Sequence, residues 1–267
     1  MSKLSALGEQ FFALGKVEDC PIYDMHGHMG PNYGLYLPVT EPESVVRCMH
    51  RAGVKMLVFC HHAALLSCRG NDGNISGVRQ FPDRLRAYCG VNPNYPETVK
   101  REVETFDDYG DVYVGFKFLA DYHARKLTDD AYKPAWELAD ARELPVLLHT
   151  WGGSGFDGYE EVLSVVERYP NAKIKLGHSL HGDWDHAIEI IERFPNTYLE
   201  LCAVIDDEQG ILEKFVESIG SERILFGTDY PWFDFHYYIG AILGARISDE
   251  DRRNIFYRNA QKLLRGA

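Results

Sequence analysis

The sequence of 267 residues predicts an α/β fold, a single-domain (β/α)8 TIM barrel, and three observations carry that expectation. Eight short apolar runs rich in Val, Ile, Leu, Tyr and Phe recur about every 25 to 35 residues. Stretches of helical period lie between them, several ending at Pro or Gly, which is helix-stop chemistry. Ionisable side chains, expensive inside a strand buried on both faces, collect at the C-terminal ends of the runs. Alternation of this kind requires a parallel sheet with right-handed crossovers. Eight such units fill the roughly 250 residues of a closed barrel. An open doubly wound sheet is the runner-up, but the Gly-x-Gly-x-x-Gly turn it needs after the first strand is missing.

Taken in order, residues 1–20 read as an N-terminal helical extension and 21–267 as the barrel. MSKLSALGEQFFALG breaks its apolar positions with Lys, Glu and Gln, so it reads as an amphipathic helix and not as a signal peptide. Strands are expected at 21–29, 54–62, 85–93, 112–120, 145–151, 173–180, 197–204 and 223–230. Helices are expected at 42–53, 96–110, 132–143, 159–170, 183–195 and 207–220. No linker, low-complexity segment or internal repeat divides the chain.

The charge balance sets 28 basic against 40 acidic side chains, a net −12. That excludes nucleic acid or an anionic membrane as main partner, since both need clustered Lys and Arg. No apolar stretch approaches the roughly 20 residues that span a bilayer. Six scattered cysteines without a Cys-x-x-Cys pair read as reduced packing residues, and the expected location is cytoplasmic.

His26 and His28 close the first strand, His61 and His62 the second, Lys117 the fourth, His149 the fifth, His178 the sixth and Asp229 the eighth. In a barrel those strand ends meet in one cup. Residues two apart on a strand share a face, so the His26 and His28 imidazoles converge. With His149 and Asp229 they form a donor set natural to zinc or a similar divalent ion. Adjacent residues face opposite ways, so only one of His61 and His62 looks inward, and His62 is kept as a substrate contact. His50, His123, His186 and His236 fall on helices or loops and are read as solvated. Glu160 and Glu161 suit the first turn of a helix. WGGSG (151–155) lacks a following Lys-Ser/Thr, so it reads as a mobile loop beside the site and not as a phosphate cradle.

DMHGH (24–28), GFKF (115–118), HTW (149–151), GHS (177–179) and GTDYPW (227–232) together resemble, in order and spacing, the amidohydrolase superfamily of metal-dependent hydrolases. The branch most similar is the amidohydrolase-related one, with aminocarboxymuconate-semialdehyde decarboxylase-like and dicarboxylate-lactone hydrolase-like enzymes. The resemblance runs from about residue 21 to 265. It implies that His26, His28, His149 and Asp229 bind one divalent metal, zinc first and manganese second, with no organic cofactor. His178 would stand beside the substrate as a catalytic residue. Lys117 occupies a position where some members carry a carbamylated lysine bridging two metals; in this branch it is assigned to substrate contact. Dimers are common in the family, so a homodimer is the assembly to expect.

Two reactions fit these residues. In hydrolysis of an amide, lactone or ester, Asp229 takes a proton from metal-activated water and His178 steadies the oxyanion. In non-oxidative decarboxylation the same cup protonates a carbon that loses carbon dioxide. Hydrolysis is the main expectation and carboxy-lyase chemistry the alternative; a non-catalytic metal-binding barrel is the third reading. An anionic small molecule would need basic partners, and Arg69, Lys117, Arg125 and His181 are available. Tyr33, Tyr36, Tyr122, Trp151, Trp184 and Trp232 could supply flat walls.

Overall fold

The computed structural model describes residues 4–206 and 208–264. The first three residues, Asp207 at the start of the helix expected over 207–220, and the C-terminal 265–267 lie outside that description. Eight strands form one parallel sheet in sequential order: β1 (Ile22–Met29), β2 (Val54–His61), β3 (Leu85–Val91), β4 (Tyr113–Phe118), β5 (Pro145–Trp151), β6 (Lys173–His181), β7 (Thr197–Glu200) and β8 (Ile224–Leu225). The ring closes through the Gly27–Tyr230 bridge and through backbone bonds from Met25 N to Phe226 O (2.9 Å) and from Asp229 N to His26 O (2.8 Å). This is the (β/α)8 barrel that the alternating pattern predicts.

Helices cover the sheet through stripes spaced three and four residues apart, as amphipathic packing demands. Val45, Met49 and Ala52 are buried on Pro42–Ala52, Val162, Val165 and Val166 on Tyr159–Arg168, and Ala187, Ile190 and Ile191 on Trp184–Arg193. Glu160 and Glu161 do sit in a first helical turn. The N-terminal helix Ala6–Leu14 is capped by Ser5 and lies beside Phe235–Gly244, Phe11 meeting the ring of His236. No helix among the described residues is long and apolar enough to cross a membrane.

Strand ends differ from the expected ones by a few residues at most, except in β7 and β8, which are much shorter, each for a local reason. β7 stops at Glu200 because its own carboxylate accepts the Cys202 backbone N–H at 2.8 Å, and Ala203 then turns at φ 52°. β8 keeps two ladder residues, and Phe226 to Tyr230 turn inward to β1, with Asp229 at φ 56°. Between β2 and β3 run two helices, His62–Leu66 and Asp72–Gln80, which Gly70, Asn71, Gly73 and Gly77 hide from a periodicity reading. The helix Phe235–Gly244 and the C-terminal helical stretch Asp249–Leu264 complete the cover.

His123 corrects the expectation of a solvated side chain. It is buried, with Nδ1 2.7 Å from Tyr132 Oη and Nε2 2.7 Å from Leu65 O. Burial lowers its pKa to about 4 from an ordinary 6.5. Below pH 6.5 the unfolded chain binds a proton that the folded chain refuses, so stability is full above that pH and falls as the pH drops toward 4. The loss across the window is roughly 3 kcal/mol. In His123→Phe, the drop in urea-unfolding free energy between pH 7 and pH 4.5 should shrink by roughly 2–3 kcal/mol. A variant profile parallel to that of the wild type would refute this.

Candidate metal centre

The barrel's C-terminal mouth holds a cavity of about 200 Å³, below the roughly 300–1,000 Å³ of sites for drug-sized ligands, so its occupant is small. His26, His28, His62, Lys117, Tyr122, His149, Trp151, His178, Asp229 and Trp232 line it, joined by Asn32, Leu66, Leu119, Ala203 and Phe233. Side chains drawn from across the sequence thus meet where the strand ends predict. Asp229 is the only carboxylate and Lys117 the only lysine or arginine among the described lining residues.

Arg69 is exposed and does not line the cavity. Nor does His181, which stacks on Trp151 at 3.8 Å. Arg125 is engaged by Asp129 and Asn94 on the surface. His61 is directed away from the cup, its Nδ1 accepting the Ala63 N–H. The loop after Trp151 is tied down, since Gly152 N donates to His181 O and the Ser154 hydroxyl accepts the N–H groups of Phe156 and Asp157.

Each imidazole of the cup is fixed through Nδ1. His26 Nδ1 meets Glu200 Oε2 at 2.8 Å, His28 Nδ1 meets Cys60 O at 2.9 Å, His149 Nδ1 meets Asp157 Oδ2 at 2.8 Å, and His178 Nδ1 meets Cys202 O at 3.3 Å. Carbonyls and carboxylates accept, so each Nδ1 carries the proton and each neutral ring is left with a lone pair on Nε2. Burial holds His26 and His178 well below the ordinary histidine pKa, which keeps them neutral. Burial likewise lowers Lys117, whose Nζ lies 3.0 Å from His26 Nε2.

Asp229 Oδ1 stands 3.1 Å from His28 Nε2 and 3.4 Å from His26 Nε2, buried, with no donor aligned to it. The His28 Nε2 lone pair and the Asp229 carboxylate oxygen, facing each other, repel unless a cation lies between them. The donor set therefore fits a divalent ion. His26, His178, Cys202 and Asp229 offer ligand atoms that all lie within 4.8 Å of one another. Cys202 Sγ sits on the Nδ1 side of both rings, 3.1 Å from each, and donates to Glu200 Oε2 at 2.9 Å. Burial keeps its thiol protonated, which suits a donor better than a metal ligand.

Glu200, Asp24, Asp157 and Cys202 are the site residues that motif reading missed. Glu200 was visible as an acid inside the apolar run TYLELCAV, the same signal that singled out the histidines. It reaches His26 because Gly227 has no side chain; a Cβ there would stand 1.9 Å from Glu200 Oε1. Asp24 accepts from His26 N, Thr228 N and the Thr228 hydroxyl, tying β1 to the chain that carries Asp229. His178, Ser179, Leu180, Ala203 and Asp229 all have φ between 49° and 66°. Positive φ in non-glycine residues costs of order 1–3 kcal/mol each and clusters at functional sites.

A family model described as amidohydrolase matches residues 67–266. The chain belongs to the amidohydrolase family. It is 24% identical over 272 residues to a gamma-resorcylate decarboxylase of Polaromonas sp., covering 84% of this chain and 83% of that one. An uncharacterised TIM-barrel protein of Bordetella bronchiseptica superposes with a TM-score of 0.75 at 18% identity, over 92% of this chain and 99% of the other. A dihydroxybenzoic acid decarboxylase of Polaromonas sp., with bound manganese and the inhibitor 2-nitroresorcinol, gives a TM-score of 0.67 at 19% identity, over 92% and 96%. These structural likenesses establish the fold that this chain shares.

Fixing an imidazole through its outer nitrogen is worth 10- to 100-fold in metal affinity in general. Asp157→Ala should therefore weaken metal binding by about that factor, read by competition with a chelator, and Asp157→Asn should recover part of it. Unchanged affinity in both variants would show that Asp157 does not position His149.

Proposed function

We propose that this member of the amidohydrolase family is a metal-dependent, non-oxidative decarboxylase of a small aromatic carboxylate. The observation that carries this reading is a small cup with one lysine, one carboxylate and aromatic walls from Tyr122, Trp151, Trp232 and Phe233. A flat ring fits between such walls, and its carboxylate meets Lys117. The decarboxylase activity named for both Polaromonas proteins supports the same chemistry.

His26, His28, His149 and Asp229 would hold the metal, with His178 beside them. When bound, the ion supplies fixed positive charge that anchors the anionic substrate; zinc and manganese both suit these donors, and manganese is the ion in one Polaromonas structure. Lys117 orients the carboxylate by charge. Asp229 relays a proton from solvent to the ring carbon that bears the carboxylate. The bond from that carbon to the carboxylate then breaks, its electron pair restores the aromatic ring, carbon dioxide leaves, and Asp229 is left again as the carboxylate. Glu200, Cys202 and Asp157 hold the imidazoles in orientation, while the aromatic walls exclude water.

Hydrolysis would use Asp229 as a base toward water, whereas the two Polaromonas relatives named above are both decarboxylases. The deciding experiment incubates protein reconstituted with zinc or manganese with hydroxylated benzoates in deuterium oxide. The expected result is carbon dioxide release with one deuterium at the vacated ring carbon. Absence of carbon dioxide, together with turnover of lactones or amides, would reverse the assignment.

A further inference from the structure

His62 directly follows β2 and opens the short helix His62–Leu66. Its side chain is 4% exposed and its ring lies parallel to that of His28, centroids 4.9 Å apart and planes 11° apart. Nδ1 lies 2.8 Å from Gly30 O. A carbonyl only accepts, so Nδ1 donates, and the neutral ring then presents a lone pair at Nε2. That Nε2 is buried and has no hydrogen-bond partner among the described residues, although the residue lines the cup.

The ring cannot turn this atom away without losing both its stack and its bond to Gly30. Gly30 makes the grip close. It adopts φ 75°, and a Cβ there would come within 2.1 Å of the His61 ring on its other side. The two adjacent histidines therefore clamp one glycine, His61 from outside the cup and His62 from within. An acceptor held buried in the cup and left unpaired is costly, so its complement is a donor brought by the ligand.

We propose that His62 is a specificity-determining residue whose Nε2 accepts a hydrogen bond from a ring hydroxyl of the substrate, selecting hydroxylated over plain aromatic carboxylates. This rests on the aromatic-carboxylate reading above. A carboxylate offers only acceptors, so benzoate leaves Nε2 buried and unpaired, and a methoxy group does no better. Lys117 and Asp229 serve the carboxylate and the proton, and neither distinguishes one ring substituent from another. Sites built to hydrogen-bond a hydroxyl reject analogues that lack it far more strongly than apolar pockets do.

The test measures binding separately from turnover. Metal-loaded protein is titrated with benzoate, the three monohydroxybenzoates and their methoxy counterparts, following tryptophan fluorescence, and carbon dioxide release is assayed in parallel. At least one hydroxybenzoate should bind tenfold or more tightly than both benzoate and its methoxy analogue. His62→Phe, which keeps a ring against His28, should abolish that preference and leave benzoate affinity within about threefold. His62→Gln, whose amide oxygen accepts, should restore part of the preference and serves as the informative variant should the Phe protein fail to fold. No preference in the wild type, a preference that survives His62→Phe, or an equal loss for every ligand would overturn the proposal. Selective, His62-dependent binding without carbon dioxide release would overturn the decarboxylase reading alone. Carbon dioxide release without a His62-dependent preference would overturn this inference alone.

Discussion

Asp229→Asn should lower kcat by about 10²- to 10⁴-fold, the range that a positioned acid or base contributes. Among the described residues of the cup, no second carboxylate can take over the proton transfer. Asn keeps the size of the side chain and an oxygen for a cation, but it cannot deliver a proton to carbon. Asp229 also stands between His26 and His28, so the variant must be compared at saturating metal with bound metal measured directly. A fully metallated, normally melting variant with wild-type turnover would remove Asp229 from the proposed role.

Lys117→Met should raise KM for an aromatic carboxylate by about 10²-fold or more, because removing one partner of a buried charge pair leaves the other uncompensated. Lys117 is fully buried, and the described lining of the cup contains no other lysine or arginine. Met preserves the length and apolar stem, so the barrel should melt near the wild-type temperature. Arg should not rescue it, since a planar guanidinium needs a different space from a compact ammonium. Steady-state kinetics with a carboxylate and an uncharged competitive analogue separate the outcomes. An equal loss for both ligands would mean that Lys117 supports the site through packing instead of charge.

The barrel was legible because its signals are additive along the chain. Each strand carries its own apolar run, each helix its own buried stripe, and eight repeats leave few architectures. The inner histidines were legible for a related reason, since a polar group at the end of a buried strand stands out against its neighbours. What surrounds them was not. Glu200 grips His26 across 174 positions of sequence, and Cys202 sits between two rings with nothing in LELCAV to distinguish it from a packing thiol. Asp157 follows a glycine-rich run whose composition suggests mobility, yet its carboxylate fixes His149. His123 looked solvated because its helix has only four residues, too few to reveal a buried face.

The seam between β8 and β1 gives the chain an unusual economy. β8 offers a ladder of two residues, and one isolated bridge with a few backbone bonds completes the ring. His26 and Asp229 face each other across that join, with Asp24 and Thr228 knotted just beneath. The first strand and the segment that follows the last thus meet at the atoms that would share a cation, so the closure of the ring and the assembly of the site are one event. A bound ion would act as a clasp on the barrel as well as a centre for chemistry. Stripping it should loosen this join before any other, and the amides of residues 225–230 should be the first to exchange with solvent.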